Sequence, residues 1–444
     1  MAATEQARPR VADPEAFLRA HQVHTVRIQW CDLHGVERGK RVQTAFFLEA
    51  GPHGFPFSTA SLAMDLRGQV PGAGDQPGAW PNLYARPDLD TLHLVAYEPH
   101  TAAVLCDLVD PDGSPVPESP RQVLRQVLAA AEARGFNCWI GPELEFYLFR
   151  DAQGTLLPPG RLAYRLGNGR EEQELLDALR AASAAAGIVC ESIHAEDGPG
   201  QFELILRHGR ALEAADALFL LRSAVKEIAR RAGLVATFLP KPLPNESGSG
   251  LHLHQSLHHI PSGVPAFTCR PGTRRATPTL EQYLAGQLAF TPELAALLLP
   301  TINAYRRVAA RRLRVNWGVD DRSAAFRILA RDDGLTLEHR VAGADANPYL
   351  LIAAALATGL EGIARALPTV AVHLDAPGGG RATDGAPLPR SLLDAVEALE
   401  HSETARRWLG SPLVERFAAL KRDEAERYAR TCTDWERREY LEYL

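Results

Sequence analysis

The stretch GPELEFYLF (141–149) places two glutamates two residues apart. Side chains of an extended strand alternate between faces, so Glu143, Glu145, Tyr147 and Phe149 share one face. Leu144, Phe146 and Leu148 share the other, so both faces read as substantially buried. The two carboxylates would lie ~6.5 Å apart. At an effective dielectric near 20, their repulsion is roughly 2.5 kcal/mol. A strand this apolar needs a cation, a proton or an arginine beside them.

Three other segments repeat the pattern. AEDGPGQFEL carries Glu196 and Glu203 on either side of a Gly-Pro-Gly turn. GSGLHLHQS carries His252 and His254 on one strand face, and LTLEHRV does the same with Glu338 and Arg340. A single such pair is more often a solvated face than a site. Five glutamates on otherwise apolar strands need partners, because buried carboxylates are costly alone. Hard divalent cations are economical partners, and oxygen-rich ligands favour Mg²⁺ or Mn²⁺ over zinc.

The segment 303–328 is dense in arginine, interleaved with Tyr305, Trp317 and Phe326. Arginine suits phosphate and carboxylate groups. Divalent metal, arginines and a glycine loop together suggest phosphoryl transfer. No GxxxxGK[ST] sequence or kinase signature set occurs, so a nucleotide site here is not a P-loop.

The 444 residues suffice for two or three domains and a large core. A net charge of -6 gives no electrostatic case for nucleic acid. The N-terminus lacks a signal-peptide core, and no apolar run approaches a membrane span. The longest apolar run, YLLIAAALATGLEGIA, reads as a buried helix. Six cysteines without metal spacing read as reduced thiols in a cytoplasmic protein. Along the chain, a hairpin turning at Asp32–Gly35 is followed by a Gly/Pro/Ser-rich stretch (51–80) that reads as one long loop. PDGSPVPESP (111–120) is a linker. A mostly β domain (14–112) then precedes a larger domain (118–444) of strands with helical connections, including a strand over LVATFLPKPL. The stretch ATDGAP near 382 reads as a surface loop.

In this order GPELEFYLF, EDGPGQFE, KPLPNESGSGLHLHQS, NAYRR, WGVDDRSAAFRI and LEHRVAGADANPYLLIAAALATGLEGI resemble the successive signatures of the glutamine synthetase family. The resemblance covers nearly the whole chain. It implies an α+β fold: an N-terminal β-grasp domain, then a catalytic domain with a curved antiparallel sheet and helices. It also implies a homo-oligomer, commonly a dodecamer of two hexameric rings with sites between neighbours. By motif position, Glu145, Glu196 and Glu203 resemble a first metal site, and Glu143, His252 and Glu338 a second. Gly248, Arg307 and Arg340 match positions that hold glutamate. Arg322 and Arg327 match those meeting the transferred phosphate, with Arg340 also neutralising charge there. Ser256 matches a nucleotide contact, and ATP with Mg²⁺ or Mn²⁺ would be the cofactors.

Two departures bear on the acceptor. Ammonia-using members carry a flap glutamate soon after the NAYRR position; here Leu313 stands there, and no glutamate occurs from 294 to 337. Their N-terminal aspartate loop corresponds to FPFSTAS, with no acid before Asp65. An apolar Leu313 and Phe57 would suit an organic amine, which makes a glutamate–amine ligase the leading expectation. Asp65, Asp320 and Asp321 are candidate proton acceptors. A true glutamine synthetase with displaced acids, an inactive regulatory ring, and a ligase for another acid (Ser247 stands where the family has Asn) stay open.

Overall fold

Two large sheets carry most strands of the computed structural model, which describes residues 11–71, 80–157, 163–166, 169–331, 334–375 and 385–444. The first contains β1 (Thr25–Cys31), β2 (Glu37–Gln43), β3 (Phe55–Ser58), β4 (Asn82–Pro87), β5 (His93–Leu94) and β6 (Thr101–Val109). Their order is β2-β1-β6-β4-β3, with β5 also on β6. The hairpin turns where its sequence predicts. Asp32 accepts from the amides of His34 and Val36, both at 2.9 Å, and Gly35 adopts φ +77°. Val26, Ile28 and Trp30 point into a cluster with Phe47, Phe55 and Val104.

The expected loop over 51–80 is corrected in part: Phe55–Ser58 is a strand, paired antiparallel to β4. Four residues containing a proline carry too little local signal, and the pairing partner lies 24 or more positions along the chain. Residues 72–79 of that stretch, and 382–384 of ATDGAP, lie outside the described residues; the end of ATDGAP, Ala386–Pro387, is not loop but a short strand paired with Arg314–Val315.

The second sheet holds β7 (Phe136–Phe149), β8 (Cys190–Ala195), β9 (Gln201–Leu206), β10 (Gly209–Arg210), β11 (Val235–Thr237) and β12 (Leu251–His259). Beyond β13 (Arg314–Val315), it continues with β14 (Trp317–Val319), β15 (Phe326–Arg331) and β16 (Gly334–His339). The order is β14-β15-β16-β12-β7-β9-β8, with β10 and β11 on β7. Pairing is antiparallel except between β14 and β15, and the sheet curls into a half-barrel. The class is α+β, as expected. The strand expected over LVATFLPKPL is shorter, three residues only, because the prolines that follow cannot donate to a ladder.

One sheet face is apolar. Leu144, Phe146, Leu148, Phe202, Leu204, Leu251 and Leu253 join the main core, which includes the helices Ala211–Arg231 and Pro348–Ala364. The latter helix is buried almost all round, as its composition requires. It crosses the helix Pro278–Phe290 at Gly286 and Gly362, where a Cβ on Gly362 would lie 2.2 Å from the Gln282 carbonyl. No helix among the described residues is long and apolar enough to cross a membrane.

Candidate active site

The other face of the curled sheet is polar, and strand register gathers its side chains. Glu145 on β7 pairs with Glu203 on β9, which pairs with His194 on β8. One step along, Glu143 pairs with His252 on β12. His254 pairs with Glu338 on β16, and Glu338 with Arg327 on β15. Period-two alternation therefore delivers acids and histidines from five strands, and Arg327 from a sixth, to one surface.

Glu143 and Glu145 fall in different sets of candidate ligands. Glu143, His252 and Glu338 place one ligand atom each within 4.8 Å of the others. So do Glu145, Glu203 and His252, and so do His194, Glu196 and Glu203. Among the described residues no set of this spacing holds Glu145, Glu196 and Glu203 together; Glu203 is shared, and Glu196 reaches it beside His194. His252 stands between the groups. Its Nδ1 lies 3.4 Å from Glu143 and 3.7 Å from Glu338, and its Nε2 lies 3.7 Å from Glu145. The residue is 4% exposed, and neither ring nitrogen completes a hydrogen bond.

The electrostatics favour a positive charge among these carboxylates. Burial, then the charges of Glu143, Glu145 and Glu196, push the Glu203 carboxyl up to about 9. Burial also opposes ionisation of Glu143, yet His252 and His254 hold its carboxyl well below the usual range. The His254 Nε2 lies 2.9 Å from Glu143. Glu145 accepts from the Gly250 amide at 2.9 Å and from Gln201 at 3.0 Å. Buried oxygens in surplus and an unpartnered imidazole between them are a donor set suited to hard divalent cations.

The arginines divide by position. Arg340 and Arg327 both bind Glu338, Arg327 at 3.2 Å, and Arg327 also grips Asp320. Arg307 is 1% exposed; it donates to the Val341 carbonyl at 2.9 Å and the Arg340 carbonyl at 3.4 Å. Burial, then neighbouring Arg311, lower its pKa to about 10. Gly248 and Gly250 wrap it: a Cβ on Gly248 would lie 2.5 Å from the Pro240 carbonyl, and one on Gly250 2.8 Å from the Arg307 guanidinium. Only glycine fits this close approach. Arg322 is exposed between β14 and β15 and forms no ion pair with another described residue.

A cleft of about 1800 Å³ runs from Glu143 and His254 past Ser256 to Trp139 and Arg121. The Ser256 hydroxyl lies 3.4 Å from His208 and 3.2 Å from His258. Leu313 packs partly against the main core. Phe57 meets Trp30 edge-on at 5.8 Å, with Lys40 4.4 Å over its ring. Of the candidate acceptors, Asp65 is already engaged by several donors. It accepts from the amides of Arg67 and Gln69 and pairs with Arg427; these outweigh burial and lower its pKa. Asp321 caps its turn through Ser323.

Two residues escaped the sequence reading. His194 stands two before Glu196, the same spacing used elsewhere, but its strand is only half-buried and lacks apolar contrast. Gln201 binds Glu145 across the β7–β9 register, which no local pattern reveals.

Compared with known proteins, residues 117–440 match the model of the glutamine synthetase catalytic domain. The chain is 31% identical over 459 aligned residues to the glutamate–isopropylamine ligase of Pseudomonas sp., covering 99% of this chain and 100% of the relative. It is 33% identical to the gamma-glutamylethanolamide synthetase of Streptomyces coelicolor, covering 98% of this chain and 96% of that one. The solved structure of apo GmaS without ligand matches with a TM-score of 0.86 at 29% identity, covering 97% of this chain and 100% of that chain.

Proposed function

The chain belongs to the glutamine synthetase family, and from that premise we propose that it is an ATP-dependent ligase joining the γ-carboxylate of L-glutamate to a small organic amine. Gamma-glutamyl amide, ADP and phosphate are the products. Two relatives that act on isopropylamine and ethanolamine support the reaction type without selecting the amine. Glu143, His252 and Glu338 would hold one Mg²⁺ or Mn²⁺, and Glu145, Glu196 and Glu203 another. Bound cations would supply positive charge against the phosphate and carboxylate oxygens.

The chain's own groups do the rest. Arg307, walled by Gly248, gives the glutamate substrate a buried cationic floor beside Arg340. Arg327 and Arg340 neutralise the phosphoryl group as it moves from ATP to the γ-carboxylate oxygen, with Arg322 brought in from the exposed turn. Ser256 contacts the nucleotide within the cleft. The amine nitrogen then attacks the acyl carbon, phosphate leaves with the oxygen, and the nitrogen gives up a proton. The chain would divide into domains 14–112 and 118–444 and assemble, by family resemblance, as a homo-oligomer, a dodecamer of two hexameric rings.

The observation that carries the acceptor class is the segment after the helix Ile302–Arg311. Leu313 there is apolar and half-buried, and the chain has no glutamate from 294 to 337. An apolar pocket gains about 0.8 kcal/mol per buried CH₂, so two or three carbons favour an amine over ammonium by roughly 15- to 60-fold. Leu313→Glu is expected to move the ratio of kcat/KM for amine over ammonium towards ammonium by about tenfold or more, the equivalent of ~1.4 kcal/mol. The ratio is insensitive to any loss of folded protein from the disturbed packing. An unchanged ratio removes Leu313 from the acceptor pocket.

A further inference from the structure

We propose that His194 is a direct protein ligand of the first cation, through its Nε2, alongside Glu196 and Glu203. The inference rests on the reading of the carboxylate cluster as a cation site and extends it by a residue. The Nε2 atom lies 3.3 Å from Glu196 Oε1 and 3.3 Å from Glu203 Oε2. These three groups form a compact set that shares Glu203 with one of the sets around His252. The register explains the meeting: His194 is directly opposite Glu203 on β9, and Glu196 follows two residues on.

The ring is held for this task from two other sides. Its Nδ1 lies 3.2 Å from the Ser192 hydroxyl, so an Nδ1–H donated there leaves the Nε2 lone pair facing the carboxylates. The Tyr164 ring stacks on the imidazole at 5.3 Å and 18°. A ligating histidine is typically fixed in this manner by a partner on its other nitrogen. The unpartnered nitrogens of buried His252, aimed into the same cluster, independently indicate that cations belong there. An imidazole donor also makes the site softer than three carboxylates would, which favours Mn²⁺ over Mg²⁺.

The test is Mn²⁺ binding followed by electron paramagnetic resonance, with pulsed detection of nitrogen coupling, on the full-length protein without substrates. Native protein, His194→Ala, Ser192→Ala and Glu203→Gln are compared, and metal-free melting temperatures check folding. His194→Ala is expected to weaken Mn²⁺ binding at one site by about 10- to 100-fold and to remove one of the nitrogen couplings. The Mg²⁺ affinity should fall by less. Ser192→Ala should weaken Mn²⁺ binding by a smaller factor with the coupling retained. If Glu203→Gln weakens binding while His194→Ala leaves affinity and nitrogen coupling as in the native protein, the ligand role is overturned and His194 only balances charge. If Glu203→Gln binds Mn²⁺ as the native protein does, the cation reading itself fails, and this inference with it.

Discussion

Replacing Glu338 by alanine is expected to cut turnover on the order of 10³-fold or more. Glu338 is almost wholly buried and lies in register between His254 and Arg327. Burial opposes its charge, but His252, Arg340 and His254 hold its carboxyl below the usual value, so it is an anion at neutral pH. Two functions depend on that anion. It completes the set with Glu143 and His252, and it holds the Arg327 and Arg340 guanidiniums. Alanine removes a cation ligand and frees two guanidiniums at once. Glu338→Gln separates these contributions, since an amide oxygen still accepts from arginine but carries no charge. We expect Gln to recover little of the activity and Ala to recover none, with Mn²⁺ affinity reduced in both. Phosphate release at saturating substrates and a metal titration provide the measurements, with circular dichroism to confirm folding. Native turnover in Glu338→Ala would remove this carboxylate from the reaction.

Arg121→Met is expected to destabilise the folded chain by about 3–5 kcal/mol, the usual result of stranding one half of a buried ion pair. Arg121 holds Asp216 with two hydrogen bonds, at 2.9 and 2.8 Å, and donates to Asp107 at 2.7 Å and Asp88 at 2.8 Å. Asp88 and Asp107 belong to the first sheet's region, while Asp216 lies on the helix Ala211–Arg231 behind the second sheet. The guanidinium thus joins the two parts of the chain at the wall of the cleft. Without it, buried Asp216 keeps the Tyr349 hydroxyl as its one side-chain hydrogen-bond donor among the described residues. The loss should appear as a lower urea midpoint, and Asp216→Asn added to Arg121→Met should recover part of it. A midpoint shift of less than 0.5 kcal/mol would mean that the cluster is solvated and weak.

How much of this was legible in the sequence depended on the range of the signal. Glu143, Glu145, His252, His254 and Glu338 announce themselves because apolar neighbours give their strands an unambiguous period of two. The same period was present at His194, but Cys190–Ala195 has mostly half-buried residues, and the pattern gave no contrast. Register between distant strands was not readable. It decides that Glu203 faces both Glu145 and His194, and that Gln201 tethers Glu145. Arginine density was visible over 303–328, yet the side chains take different surroundings: Arg307 sinks under glycines, Arg327 joins Glu338, and Arg322 stays in solvent. Burial of that kind follows from tertiary packing, not composition.

The central claim concerns the acceptor. Alkyl amines titrate near the lysine value of about 10.4, so well under one percent is neutral at pH 7, and the site must favour binding and deprotonating them. The decisive measurement is kcat/KM for ammonium and for a panel of short primary amines, with glutamate and ATP saturating and the amide product identified by mass. We expect at least one organic amine to exceed ammonium by tenfold or more, with the product carrying that amine on the γ-carboxyl group. Ammonium used as well as or better than every amine in the panel would contradict the account and make the chain a glutamine synthetase.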